Sequence, residues 1–188
     1  SAGWFAMGMA RTQDQVTSFD YDGASVSSRS AIEKEMIESI GRFRESVIGS
    51  LDPIRGSSYK GKILLHPRAV MDLLAGVILS NCNARSHQDN LSPWKGKVGQ
   101  QVASEALTVF EDPLDLARPE GWSPFDREGV PTSRHNLIED GRLNFLGHNC
   151  YTAKREGIRP TGNASGGARS IPGIGFSNIC FSFKSGTI

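Results

Sequence analysis

Four side chains, Cys82, His87, His148 and Cys150, have the donor types of a soft-ligand zinc site. Their spacing, four intervening residues in one pair and one in the other, matches no closed zinc pattern. Each is therefore read as a buried thiol or a loop histidine. Cys150 with His148 also has the types of a nucleophile and its base, but residues two apart on a strand are badly placed for a directed proton transfer. Asp126 and Glu128 form a carboxylate pair able to bind a cation or to act as acid and base. The competing reading, which is preferred, is a turn: Asp126 accepts local N–H groups and Gly129 takes positive φ. Thr161-Gly162-Asn163, followed by Gly166-Gly167, is a glycine-rich loop without the lysine of a phosphate cradle, so it reads as a close-packed or peptide-contacting loop. Tyr151, Thr152 and Lys154 are expected to anchor a short helix. His66, just before Pro67, reads as a capping or surface residue rather than a ligand.

The elements that must position these groups are read from period and punctuation. Gly3 to Ala10 and Gln15 to Tyr21 suggest an antiparallel hairpin, with Asp22-Gly23 punctuating its end. Ile32, Met36, Ile40, Phe43 and Val47 make one apolar stripe on a helix from Ser30 to Val47 that covers a sheet. Ser30 and Glu33 fit a capping box there, and Gly49 a stop. Lys62 to Leu65 reads as a short strand. Pro67 opens a second helix to Ser80, whose apolar residues wrap most of its circumference and predict burial.

Asn81 to Trp94 reads as irregular, Ala106 to Phe110 as a strand and Glu111 to Pro124 as a loop. Asp140-Gly141 between Ser133 to Glu139 and Arg142 to Leu146 predicts a tight hairpin, because both residues tolerate positive φ. Tyr151 to Glu156, stopped by Gly157, predicts a short helix. Phe176 to Phe183 predicts a strand with Ile179, Phe181 and Phe183 on one face. The expected class is α+β: an antiparallel or mixed β-sheet with hairpins, covered by two main helices.

Composition narrows the partners. With 21 Lys+Arg against 20 Asp+Glu and a net charge of +1, nucleic acid and membrane surfaces are poor partners. Three scattered cysteines suit a reducing cytoplasm, and no apolar run approaches the ~20 residues of a membrane span.

The blocks Ser123-Pro124-Phe125-Asp126-Arg127-Glu128-Gly129-Val130-Pro131-Thr132, Leu137-Ile138-Glu139-Asp140-Gly141, Tyr151 to Gly157 and Thr161-Gly162-Asn163-Ala164, in that order, resemble the C-terminal domain of the TldD/PmbA family, whose older label is modulator of DNA gyrase. The resemblance implies that residues 1–188 are a single C-terminal domain and a fragment of a longer chain. It further implies a peptidase assembly in which TldD-type members carry a zinc-binding His-Glu-x-x-x-His on a helix, while PmbA-type (TldE) members lack it. Here the corresponding helix begins Leu65-His66-Pro67-Arg68-Ala69-Val70-Met71, with Pro67 in the glutamate's place and Met71 in the second histidine's, and no His-Glu pair occurs in the sequence.

The expectation is a non-catalytic subunit without catalytic residues or a metal of its own, zinc residing only in a motif-bearing partner. It dimerises with a homologous TldD-like subunit or a second copy, handles unstructured peptides, and binds neither nucleic acid nor membrane. Asp126, Glu128, Tyr151, Thr152, Thr161, Gly162 and Asn163 are its candidate peptide- or partner-binding residues. The alternatives are an autonomous hydrolase using other residues and a gyrase-related regulatory binding protein.

Overall fold

The computed structural model describes residues 2–184, which fall into two compact units, Ser1–Lys62 and Ile63–Ile188. Helices and antiparallel sheets mix in both, so the class is α+β.

In the first unit, β1 (Ala2–Gly8) pairs antiparallel with β2 (Asp20–Val26), and α1 (Ile32–Gly49) packs on one face of this hairpin. The contact is partly polar: Trp4 Nε1 donates to Ser39 Oγ at 2.9 Å, and Arg42 pairs with Asp22 at 3.0 Å. Asp22-Gly23 does not end the hairpin as expected. It lies mid-strand, with Gly23 opposite Phe5, because β1 passes so close that a Cβ on Gly23 would sit 2.9 Å from Phe5 Cα. The expected capping box is also absent. A 3₁₀ turn, Arg29–Ala31, leads into α1, whose first residues take no side-chain cap, and Ser30 instead bonds Ser28. The buried line of α1 runs through Ser39 and Val47, so Met36 and Ile40 stay partly exposed.

The second unit is built on a four-stranded antiparallel sheet in the order β5-β4-β3-β8, comprising β3 (Leu107–Glu111), β4 (His135–Glu139), β5 (Arg142–Leu143) and β8 (Ile179–Phe183). Asp140 (φ 47°) and Gly141 (φ 74°) make the β4–β5 turn, as expected of that dipeptide. Leu137 and Ile138, neighbours that point to opposite faces, are both fully buried, so the sheet is covered on both sides at β4. Ile78, Cys82, Val109 and Leu143 complete the core.

No strand forms over residues 62–65: a short apolar run without a pairing neighbour stays extended chain. The next helix, α2, covers residues 67–81 as an α-turn Pro67–Val70, a π-turn Met71–Ala75 and an α-segment Gly76–Asn81. Its expected burial is overturned. Ile78 and Ala75 face the core, whereas Leu73 and Val77 are each 59% exposed. The stretch read as irregular contains a short helix, α3 (Ala84–Gln88), capped by Asn83. The predicted short helix forms as α4 (Cys150–Glu156), ended by Gly157 at φ 69°. Two-residue strands β6 (Ala164–Ser165) and β7 (Gly173–Ile174) pair with each other over the sheet's end. Among the described residues, no helix is long and apolar enough to cross a membrane.

Candidate functional site

The turn after β3 is organised by Asp126. Its Oδ1 accepts the N–H groups of Glu128 (2.8 Å) and Val130 (2.9 Å), and its Oδ2 accepts that of Ala164 (2.9 Å). A carboxylate taking three backbone N–H groups forms a node that joins the turn to the glycine loop. Gly129 takes φ 78° to close the turn. Two residues on, Glu128 Oε2 accepts the N–H of Cys150 at 2.7 Å, placing a negative charge on an otherwise unpartnered donor in the first turn of α4.

That helix is capped by Asn149, a residue the sequence reading passed over. Its side chain accepts the Thr152 N–H at 2.9 Å and donates to Pro172 O at 2.9 Å. Thr152 is completely buried, with its hydroxyl held against Asn149, whereas Tyr151 is 55% exposed, its ring flanked by the guanidinium groups of Arg85 and Arg155 at 5.3 and 5.8 Å.

In the glycine loop, Thr161 Oγ1 accepts the His148 N–H at 2.7 Å and donates to Asn163 Oδ1 at 2.7 Å. Gly162 has φ 81°, and a Cβ there would meet Pro131 O at 2.5 Å, so the loop packs backbone against backbone. Asn163 is buried and donates to Glu111 Oε1 at 2.8 Å. A cavity of about 200 Å³ borders these groups, lined by Ser123, Asp126, Thr132, Asn163, Phe176 and Ser177 among others.

The fold thus joins Asp126, Glu128, Thr161, Gly162 and Asn163 into one hydrogen-bonded neighbourhood beside the start of α4, and leaves Tyr151 outside it on the helix surface. Glu111, also missed in the sequence, lies at its base. Its partners are 52 and 66 residues away, and no local pattern marks a strand-end glutamate as buried.

The thiols and His148 here are not activated. Cys150 begins a helix rather than lying on a strand, and the bonded Glu128 carboxylate, with some burial and the charges of Glu128 and Asp126, holds its thiol above the ordinary range. Burial pushes Cys82 up to about 12, helped by Glu111. Burial holds His148 below its ordinary value, against the pull of Glu156. None is an activated nucleophile or base.

The described residues do not form the zinc set that the resemblance implies for TldD-type members. His66 caps α2, its Nδ1 accepting the Arg68 N–H at 3.3 Å, and Pro67 and Met71 follow on that helix. His87 is bonded to Asn81 O at 2.7 Å, and His135 stacks on Phe145. No three metal-binding side chains converge among the described residues.

The family profile described as the PmbA/TldA metallopeptidase C-terminal domain matches residues 58–187. An uncharacterised Methanocaldococcus jannaschii protein is 40% identical over 123 residues, spanning 65% of this chain and 29% of its own. The structure of a candidate modulator of a DNA gyrase from Thermotoga maritima superposes with TM-score 0.63 at 30% identity, covering 91% of this chain and 38% of its own. TldE from Thermococcus kodakarensis shares the fold, with TM-score 0.65 at 24% identity over 97% of this chain and 41% of its own. This chain therefore spans well under half the length of these relatives. Because the matched profile covers more than half of the residues, and the turn, capped helix and glycine loop described above all lie within it, the chain belongs to the PmbA/TldD metallopeptidase family.

Proposed function

We propose that the chain is the non-cleaving, PmbA/TldE-like kind of subunit in a metallopeptidase assembly acting on unstructured peptides. The observation that carries this reading is the start of α2. There His66 uses its Nδ1 on the cap, a proline replaces the base and a methionine replaces the second imidazole. A helix opened in this way offers neither a ligand pair nor a carboxylate to a divalent cation.

The zinc and the attacking water then belong to a motif-bearing partner, a homologous TldD-like subunit. This chain's share is to guide the peptide along the outer strand β8 and the loop at Thr161 to Gly167, where main-chain groups can pair with an extended substrate. Tyr151 and Glu128 are the candidates that keep side-chain surface for such contacts. The same proposal places the protein in the cytoplasm, where its three free thiols remain reduced. An autonomous hydrolase built on Cys150 is disfavoured by the raised thiol.

The test uses the full-length protein, alone and mixed with a motif-bearing homologue, with metal analysis and cleavage of an unstructured peptide. The expected result is no stoichiometric zinc and no cleavage alone, and cleavage in the mixture. Stoichiometric zinc with cleavage by the protein alone overturns the proposal.

A further inference from the structure

Glu111 is 2% exposed, on the core-facing side of β3 with Val109. Among the described residues its carboxylate is served by neutral donors: Asn163 Nδ2 at 2.8 Å on Oε1 and the Ser177 N–H at 3.3 Å on Oε2. The titratable and charged groups that approach it from the surrounding elements bring no cation to it. Cys82, at the end of α2, carries a neutral thiol. His135, opposite on β4, stacks on Phe145 and bonds Ser133. Asp126, beyond Asn163, is held by N–H groups. Arg134 pairs with Asp112 at 3.7 Å, and Arg118 with Asp115 at 2.7 Å. A carboxylate in this position has two ways to relieve its desolvation: it takes a proton, or water reaches it.

What covers it is a short stretch of chain. Asn163 and the segment at 173–177 lie over the carboxyl, joined by Gly175 N–H to Asn163 O (2.9 Å) and Asn163 Nδ2 to Gly175 O (3.2 Å). The segment is tied to the rest by a two-residue strand pair, by the Asn149 bond to Pro172 and by Phe176, which packs against the core, while Ile171 just before it is 91% exposed. Short and glycine-containing, it carries less strand pairing than the central strands β3 and β4, the kind of segment in which local opening costs least.

We propose that Asn163 and residues 173–177 form a pH-responsive cover over Glu111, held shut when its carboxyl takes up a proton and loosened when the proton leaves. Burial raises the Glu111 carboxyl from 4.5 to about 7, outweighing the Asn163 and Ser177 hydrogen bonds, which favour the charged form. A group whose pKa is raised on closing binds its proton more tightly in the closed state, so closure is favoured at low pH. Opening grows up to about tenfold per pH unit between the two values and levels off above the higher one. Since Asn163, Phe176 and Ser177 also line the 200 Å³ cavity, the state of the cover sets the shape of that cavity.

Amide hydrogen exchange of the full-length protein, corrected for the intrinsic pH dependence, tests this from pH 5 to 8. The expected result is that protection of Gly175 and Ser177 falls with rising pH up to neutrality, by at most about tenfold per pH unit, with both exchanging faster than Leu137 and Ile138 of the core. Glu111→Gln should make that protection independent of pH. A flat profile in the unmodified protein, exchange as slow as the core strand's, or an unchanged slope in Glu111→Gln overturns the proposal. Should the variant not fold, carbon-13 NMR of the Glu111 carboxyl replaces it. A titration that coincides with the loss of protection supports the cover, and one in the ordinary carboxylate range overturns it.

Discussion

Glu128 Oε2 accepts the backbone N–H of Cys150 across 2.7 Å, so the carboxylate that fills the first turn of α4 also raises the thiol at its start. Because the thiolate forms only at higher pH, alkylation of Cys150 should be slow at neutrality. Glu128→Gln should move the midpoint of the alkylation rate against pH downward, as measured with iodoacetamide and mass spectrometry of the Cys150 peptide. An unchanged midpoint would mean that Glu128 does not control the thiol.

Asn149 fixes the entry to α4 and ties it to Pro172. Asn149→Ala removes a cap worth about 1 kcal/mol and a hydrogen bond worth about 1 kcal/mol. Urea unfolding should show a loss of about 2 kcal/mol with an unchanged slope.

For Glu111 the sign of the pH effect is opposite to that of a salt-bridged carboxylate. Its folded pKa is raised, so its contribution to stability is fully present below 4.5 and is lost as pH rises through about 7. The loss amounts to up to about 3 kcal/mol across that window. Denaturant midpoints at successive pH values should fall in the unmodified protein, and Glu111→Gln should remove this component.

Two glycines with similar dihedrals should respond differently to alanine. Gly141 has φ 74°, and a Cβ there would meet the Ala103 and Ser104 carbonyl oxygens at 2.5 Å. Gly157 has φ 69° and open space around it. Gly157→Ala should cost about 1 kcal/mol of left-handed strain, whereas Gly141→Ala should cost at least about 2 kcal/mol because strain adds to collision. Thermal unfolding of the pair checks the order.

What the sequence disclosed was local chemistry. Asp140-Gly141 and Gly157 announced a hairpin and a helix end because positive φ is a property of the residue itself. The stripe on α1 showed that a helix exists, but not which side is buried, since the Trp4 bond to Ser39 draws a polar residue into the contact. Asp22-Gly23 was misread because turn preference yielded to strand pairing. An apolar circumference on α2 suggested burial, yet Leu73 and Val77 face outward. Within the candidate site, the Asp126 turn was readable from Gly129 three residues on. Glu111 was not, because its meaning arises from contacts made by distant parts of the chain.

The wide turn at Met71–Ala75 gives α2 a counted phase. A π-turn holds one residue more than an α-turn, so deleting a single residue there would restore the ordinary ladder while leaving the helix downstream in nearly the same phase. Ile78 and Cys82 would keep their seats against the sheet. A relative whose helix lacks the extra residue must place its core side chains one position earlier, so residue roles cannot be carried between such chains beyond this turn without shifting the count.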